Sequence, residues 1–256
     1  MELEISQWLM GAAAAALVGF SKTGVPGAGI LVVPLMASIF GGRESVGTLL
    51  PMLIFADCFA VARYRQHARW DKLWAVFPWV GGGIALGAVL LWYTGEQTGR
   101  DWMSPVIGAL VLLMLAVHLA RKALGGDAAP KSHLATVSAG VAGGFTTTVS
   151  NAAGPVMGIY LTAMGLTKEQ FMGTFAWFFF VLNSAKLPIF IALSLMNPEK
   201  PLITLGSLGF NAAVAPMILL GALFGYWVLP RIPQSAFDVA ILGLAAVAAL
   251  RLLFVW

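Results

Sequence analysis

The 256-residue chain predicts an all-α polytopic membrane protein, with two inverted repeats of about five hydrophobic segments each. Three observations predict it. First, 59% of the residues are hydrophobic, only 10% are charged, and mean hydropathy is +0.87. A soluble domain is about 45–50% apolar and about 25% charged, so this chain has too few polar side chains to cover a soluble surface. Second, the apolar residues fall in long runs without alternation, which points to helices and away from a membrane barrel. Third, short motifs recur in the same order in the two halves. Composition also excludes disorder, a collagen-like repeat and a disulfide scaffold, since Cys58 is the single cysteine.

A spanning helix takes about 20 mostly apolar residues. The runs in order are Leu3–Phe20, Val25–Phe40, Val46–Ala62, Leu73–Tyr93 and Met103–Ala120. After a polar loop, Arg121–His133, come Leu134–Thr148, Gly154–Leu166, Phe171–Leu195, Leu202–Leu229 and Phe237–Val255. The start Met1-Glu2-Leu3-Glu4 has no basic region, so the first run is expected to be retained rather than cleaved. Val25–Phe40, Leu134–Thr148 and Gly154–Leu166 are short for full spans and are expected to dip in and return.

Loop charge sets the sides. Arg63, Arg65, Arg69 and Lys72 lie in one loop and Arg121, Lys122 and Lys131 in another, so both are expected to be cytoplasmic. Glu96 and Asp101 mark an outside loop, and the parity of the intervening runs agrees. The net charge of +4 therefore reads as topogenic, and no basic face with interleaved aromatics suggests nucleic acid. Trp8, Trp70, Trp74, Trp102, Trp227 and Trp256 sit near run ends, as an interfacial belt does.

Gly19-Phe20-Ser21 is matched by Gly144-Phe145-Thr146, Arg43-Glu44 by Lys168-Glu169, and Gly47-Thr48 by Gly173-Thr174. Asp57 then aligns with Asn183, Pro78 with Pro216 and Gly87 with Gly225. The division is 1–125 for the first repeat, 126–133 for a cytoplasmic linker and 134–256 for the second repeat, integrated into one domain. An odd number of runs per half puts the copies in opposite orientation, with a substrate expected at the repeat interface near the midplane.

Two segments break the runs at matching places: Ser21–Gly29 and Thr146–Pro155. Irregular backbone inside a membrane survives only where it is buried in protein or lines a wet cavity. Half-helices starting at Pro26 and Pro155 would offer free N–H groups to an anion. The first break supplies Lys22, Thr23, Gly24, Gly27 and Gly29 as candidate substrate-binding residues. Ser150, Asn151 and Gly154 are the candidates at the second. Ordinary turns are the plainer reading of such composition, and Lys22 reads either as a positive-inside anchor or as an anion ligand.

Three polar residues lie inside apolar runs. Asp57 is costly there and needs a partner or a wet cavity. It is the candidate for proton coupling, the alternative being a structural pair with Arg63. Asn183 and Lys186 share one helix face; the amide can donate to an oxyanion and the ammonium can supply charge. Lys186 lies roughly 13–22 Å from the two ends of its run at 1.5 Å per residue, deep for snorkelling. Both join the candidate substrate-binding set. No His, Cys or carboxylate spacing suits a metal, and no metal or cofactor is expected. Trp177-Phe178-Phe179-Phe180 reads as packing or a lipid-facing surface.

Gly24-Val25-Pro26-Gly27-Ala28-Gly29 with Pro34-Leu35, Ala56-Asp57, Tyr64-Arg65 and Arg69-Trp70-Asp71 resembles the TauE/SafE sulfite exporter family, also described as anion permeases. Gly154-Pro155 and Asn183-Ser184-Ala185-Lys186-Leu187-Pro188 look like the counterpart signature in the second half. Ala28 interrupts the family's run of glycines. The resemblance covers nearly the whole chain. It implies a secondary transporter in the plasma membrane for a small sulfur-containing anion: sulfite, a sulfonate or a thiosulfate-like species. Its partners would be that anion and the lipid bilayer, with an oligomer left open. A passive anion channel is the alternative. A membrane enzyme is disfavoured, because H-E-x-x-H, G-x-S-x-G, S-x-x-K and the P-loop are all missing from the sequence.

Overall fold

The computed structural model describes residues 3–26, 28–94, 109, 112–113, 115–116, 119–120, 133–151 and 153–254. Among them every element is helical: α1 (Ile5–Thr23), a 3-10 turn (Ala28–Leu31), α2 (Val32–Phe40), α3 (Gly42–Tyr64) and α4 (Trp70–Thr94) in the first half. The second half holds α5 (His133–Ser150), α6 (Ala153–Ala163), α7 (Lys168–Met196), α8 (Leu205–Val228) and α9 (Gln234–Phe254). The run Met103–Ala120, the outside loop and the linker fall largely outside the described residues.

Among the described residues, four segments are long and apolar enough to cross a membrane: Glu44–His67, Trp70–Trp92, Lys168–Met196 and Leu205–Arg231. Two of the three short runs are short as helices too, whereas Leu134–Thr148 lies within the 18-residue α5. The nine residues of α2 and the eleven of α6 rise roughly 14 and 16 Å, about half of a ~30 Å hydrocarbon core. Leu195, Leu205, Trp74 and Val239 are all more than two-thirds exposed. That would be costly in water and suits a surface solvated by acyl chains. Of the expected belt, Trp8, Trp70, Trp74 and Trp227 are exposed; Trp102 and Trp256 lie outside the described residues.

The chain divides into two compact units, and each draws on both sequence halves. The first comprises Met1–Gln66 and Ala176–Ile232, the second His67–Phe175 and Pro233–Trp256. Helix α7 passes from one to the other at Phe175–Ala176.

In the first unit, α1 lies against α8. Their contact is a seam of small residues, which lets two backbones approach closely where lipid offers no hydrophobic drive to association. A Cβ on Gly19 would overlap the Ile218 carbonyl oxygen and come within 2.7 Å of Ala222 N. A Cβ on Gly221 would overlap the Ala16 carbonyl. Beside the seam, Ala14, Ala15 and Val18 pack with Met36, Met52, Phe210 and Val214 into one core. Helix α8 starts at a reciprocal cap: Thr204 Oγ1 accepts from Ser207 N–H and Ser207 Oγ accepts from Thr204 N–H, both at 3.0 Å.

In the second unit, α5 lies against α4 through a seam of the same kind. A Cβ on Gly144 would overlap the Val80 carbonyl oxygen and come within 2.9 Å of Ile84 N. One on Gly83 would overlap the Val141 carbonyl. These are the contacts of the first unit carried over in register: Gly19 to Gly144, Ala16 to Val141, Ile218 to Val80, Gly221 to Gly83. Thr23 and Thr148, also in register, bond back to the Gly19 and Gly144 carbonyls at 3.0 and 2.8 Å. Phe171 closes the unit by meeting Phe237 of α9 edge-on, with ring centroids 5.3 Å apart.

Candidate functional site

The first break is held from two sides within the first unit. Helix α1 ends at Thr23, and its hydroxyl is shared between the Gly19 carbonyl and, at 2.8 Å, the Ala222 carbonyl of α8. The Tyr64 hydroxyl, at the end of α3, donates to the Thr23 carbonyl at 2.8 Å. It thereby satisfies one of the acceptors a helix C-terminus leaves open. Past Gly24 the chain turns, with Ala28 N–H donating to the Val25 carbonyl at 3.1 Å. The following helix therefore begins at Ala28 with a 3-10 turn rather than at Pro26, because Pro26 is spent inside that turn.

This anchoring puts Lys22 in the last turn of α1 with 6% of its surface exposed. Its Nζ lies 2.8 Å from Asp57 Oδ1, midway along α3, and 4.1 Å from the centroid of the Phe179 ring. Asp57 is fully buried. The Lys22 contact is a buried ion pair at charge-assisted hydrogen-bond length. The other Asp57 oxygen, Oδ2, accepts from Asn183 Nδ2 of α7 at 2.6 Å. One turn on from Asn183, Lys186 is also fully buried, with Nζ 5.8 Å from the centroid of the Phe190 ring. Its charge is felt by, and feels, Lys22 and Asp57.

Among the described residues the buried charged side chains are these three: two ammonium groups and one carboxylate. Burying an ion costs several kcal/mol unless a partner and further hydrogen bonds compensate. The aromatic faces of Phe179 and Phe190 add modest cation–π attraction. Asn183 Oδ1, buried, accepts no hydrogen bond among the described residues. Turning the amide over would set that oxygen against a carboxylate oxygen, so the Asp57 contact fixes its orientation.

The first unit thus gathers Lys22, Asp57, Asn183 and Lys186. The Asp57 partner is Lys22, and the sequence alternative of an Arg63 pair is not the arrangement formed. Thr23, Gly24 and Gly29 have packing roles: a Cβ on Gly24 would come within 2.9 Å of Gly225 Cα, and one on Gly29 within 2.8 Å of Ser21 Oγ. Gly27 lies outside the described residues. In the second unit, α5 ends at Ser150, Asn151 takes a left-handed φ of 54°, and α6 begins at Ala153. Pro155 then sits in the first turn, where no amide hydrogen is required. A Cβ on Gly154 would meet nothing within 4 Å, so packing does not demand glycine there.

Sequence reasoning missed Phe179 and gave Tyr64 no role beyond its place in the family signature. Phe179 falls four residues before Asn183, hence on the same helix face; that spacing could have singled it out of the Trp177–Phe180 cluster. For Tyr64 the signal was the Tyr64-Arg65 pair of the family resemblance, which does not say that its hydroxyl holds the end of α1.

A helical multi-pass chain with lysines and an aspartate in its apolar interior has the form of membrane proteins that pass charged solutes. The family model for the sulfite exporter TauE/SafE matches residues 11–252, and the chain belongs to that family, a family of membrane transport proteins for sulfite and other anions. Neither the curated proteins nor the solved structures gave a match to the chain.

Proposed function

We propose that this protein is a secondary transporter that moves a small sulfur-containing anion, sulfite or an organosulfonate, across the plasma membrane by alternating access. The observation that carries this reading is the burial of two lysines, an aspartate and an asparagine, Lys22, Asp57, Asn183 and Lys186, in one apolar unit. Ionisable residues inside a membrane protein mark solute or proton paths, and ammonium groups suit an anionic solute. Lys22, Asn183 and Lys186 bind the anion. Thr23, Gly24, Gly27 and Gly29 shape the break beside them, and Ser150, Asn151 and Gly154 serve the equivalent break in the second unit. Asp57 competes with the anion for Lys22, so a proton on Asp57 frees that lysine, and this is the coupling step.

Two inverted repeats, 1–125 and 134–256 about a cytoplasmic linker at 126–133, are part of the same reading. Its support is the register of the two glycine seams, where the first helix of each half meets the fourth helix of the other.

The test is uptake of radiolabelled sulfite into proteoliposomes with and without a pH gradient. Saturable flux that responds to the gradient and is lost in Lys186→Ala is expected. Flux that neither saturates nor responds would make the protein a passive channel. No flux of sulfite, thiosulfate, sulfoacetate or sulfate would refute the substrate class.

A further inference from the structure

Away from the lysines, the first unit holds a second group of buried polar atoms, and those left open are oxygens. We infer that Thr48 and Asn211, together with the backbone carbonyls of Gly47 and Leu202, form a binding site for a sodium ion between α3 and α8. The site goes beyond the anion reading and does not rest on it.

Thr48 is fully buried and Asn211 is 8% exposed. Asn211 Nδ2 donates to the Thr48 carbonyl at 3.0 Å, which ties α8 to α3 and commits the donor end of the amide. Asn211 Oδ1 and Thr48 Oγ1 are both buried with no hydrogen-bond partner among the described residues. Such open groups cost free energy that a ligand recovers. Other buried threonines of this chain behave differently. Thr23, Thr146 and Thr148 all donate back to the carbonyl one turn earlier. So does Thr174, the repeat counterpart of Thr48: its hydroxyl donates to the Gln170 carbonyl at 2.7 Å and accepts from Arg69 N–H at 2.9 Å. Thr48 forgoes that bond.

Two backbone oxygens join them. Pro51 lies inside α3 and lacks the N–H that would close the helix onto the Gly47 carbonyl, one turn back. A Cβ on Gly47 would overlap the Leu202 carbonyl oxygen, so that oxygen is held directly against the same turn. Its segment is fixed by Ser194 Oγ, which accepts from Leu202 N–H and Ile203 N–H at 3.0 and 3.1 Å. Carbonyl, amide and hydroxyl oxygens are ligands of hard cations, and carbonyls released from helices coordinate sodium in membrane transporters. An anion would bring only further acceptors. None of the four oxygens carries a formal charge, so the set suits a monovalent ion better than a divalent one, whose desolvation costs far more. Thr48 stands roughly 14 Å from Asp57 along α3 at 1.5 Å per residue, and on the opposite side of the helix. The ion is therefore distinct from a proton at Asp57.

The test is thermal unfolding of the detergent-purified full chain in sodium, N-methylglucamine or magnesium chloride at equal ionic strength. Equilibrium binding of radiolabelled sodium is measured in parallel. Saturable sodium binding is expected, with a melting temperature about 3 °C or more above that in N-methylglucamine and no such rise with magnesium. Thr48→Val and Asn211→Leu each remove one oxygen and should weaken sodium binding about tenfold or more. Pro51→Ala returns a helical donor to the Gly47 carbonyl and should weaken it about threefold or more. If Asn211→Leu fails to fold, the near-isosteric Thr48→Val and Pro51→Ala still decide. Sodium no better than N-methylglucamine in the wild type would overturn the inference and leave the sulfite reading standing. Magnesium matching sodium would overturn it as well, and so would sodium binding unchanged in the variants. Sulfite flux is read separately, so its absence would strike the transporter reading alone.

Discussion

Replacing Lys22 by Met should destabilise the protein less than replacing Asp57 by Asn, although each breaks the same 2.8 Å ion pair. Breaking a buried pair by removing one partner costs about 3–5 kcal/mol, because the other charge stays behind in a low-dielectric site. After Lys22→Met, Asp57 still has the Asn183 amide at 2.6 Å and the nearby charge of Lys186. One positive and one negative group remain, so the cost falls near ~3 kcal/mol. After Asp57→Asn, two buried ammonium groups act on each other with no carboxylate between them, which puts the cost near ~5 kcal/mol. At about 2–4 °C per kcal/mol for a chain of this size, the melting temperature should fall by about 6–12 °C and about 10–20 °C. Thermal unfolding of the purified protein in detergent, followed by tryptophan fluorescence without added anion, reads both. Two variants melting within ~2 °C of the wild type would mean that the pair is solvated and the burial argument fails. The reverse order would refute the coupling of Lys186 to Asp57.

The glycine seams predict a paired result: Gly19→Ala and Gly144→Ala should each cost about 1–3 kcal/mol from forced overlap with a facing backbone carbonyl, whereas Gly82→Ala, with nothing within 4 Å, should be neutral or slightly stabilising in the same melts. Tyr64→Phe removes the donor to the Thr23 carbonyl and should cost about 0.5–1.5 kcal/mol, with proteolysis near the first break accelerated. Asn151 holds a left-handed φ, so Asn151→Val should lose about 1–2 kcal/mol while Asn151→Gly stays close to the wild type, read again by thermal unfolding.

The long helices were legible because a run of twenty apolar residues has few other uses. Their starts were less so: α3 begins at Gly42, ahead of the run Val46–Ala62, since Arg43, Glu44 and Ser45 are helix-compatible residues that hydropathy discounts. The opposite happened at the first break, where the apolar run opens at Val25 but α2 begins at Val32; composition registers the residues of a turn and a 3-10 segment without registering their geometry. In the site, Asn183 and Lys186 stood out by depth alone, a property a sequence carries. That Lys22 reaches Asp57 is a matter of how α1 lies beside α3, and no spacing encodes it. Phe179 was hidden because packing and cation-facing aromatics look alike in a string of letters.

The hydrogen bond between Asp57 and Asn183 joins two positions that the repeat alignment pairs with each other. On the proposed inverted-repeat reading, residues paired in this way meet on or near the axis relating the copies, where a duplicated chain would first present two identical side chains face to face. Two aspartates at that separation could not both be ionised, and would hold a proton between them permanently. Two asparagines would offer no charge for Lys22 to pair with. An acid on one side and its amide on the other is the combination that makes the contact attractive, charged and directional at once. On that reading, a working centre at such a point requires the two halves to differ there: they can keep matching seams of glycine, but not a common residue at the axis.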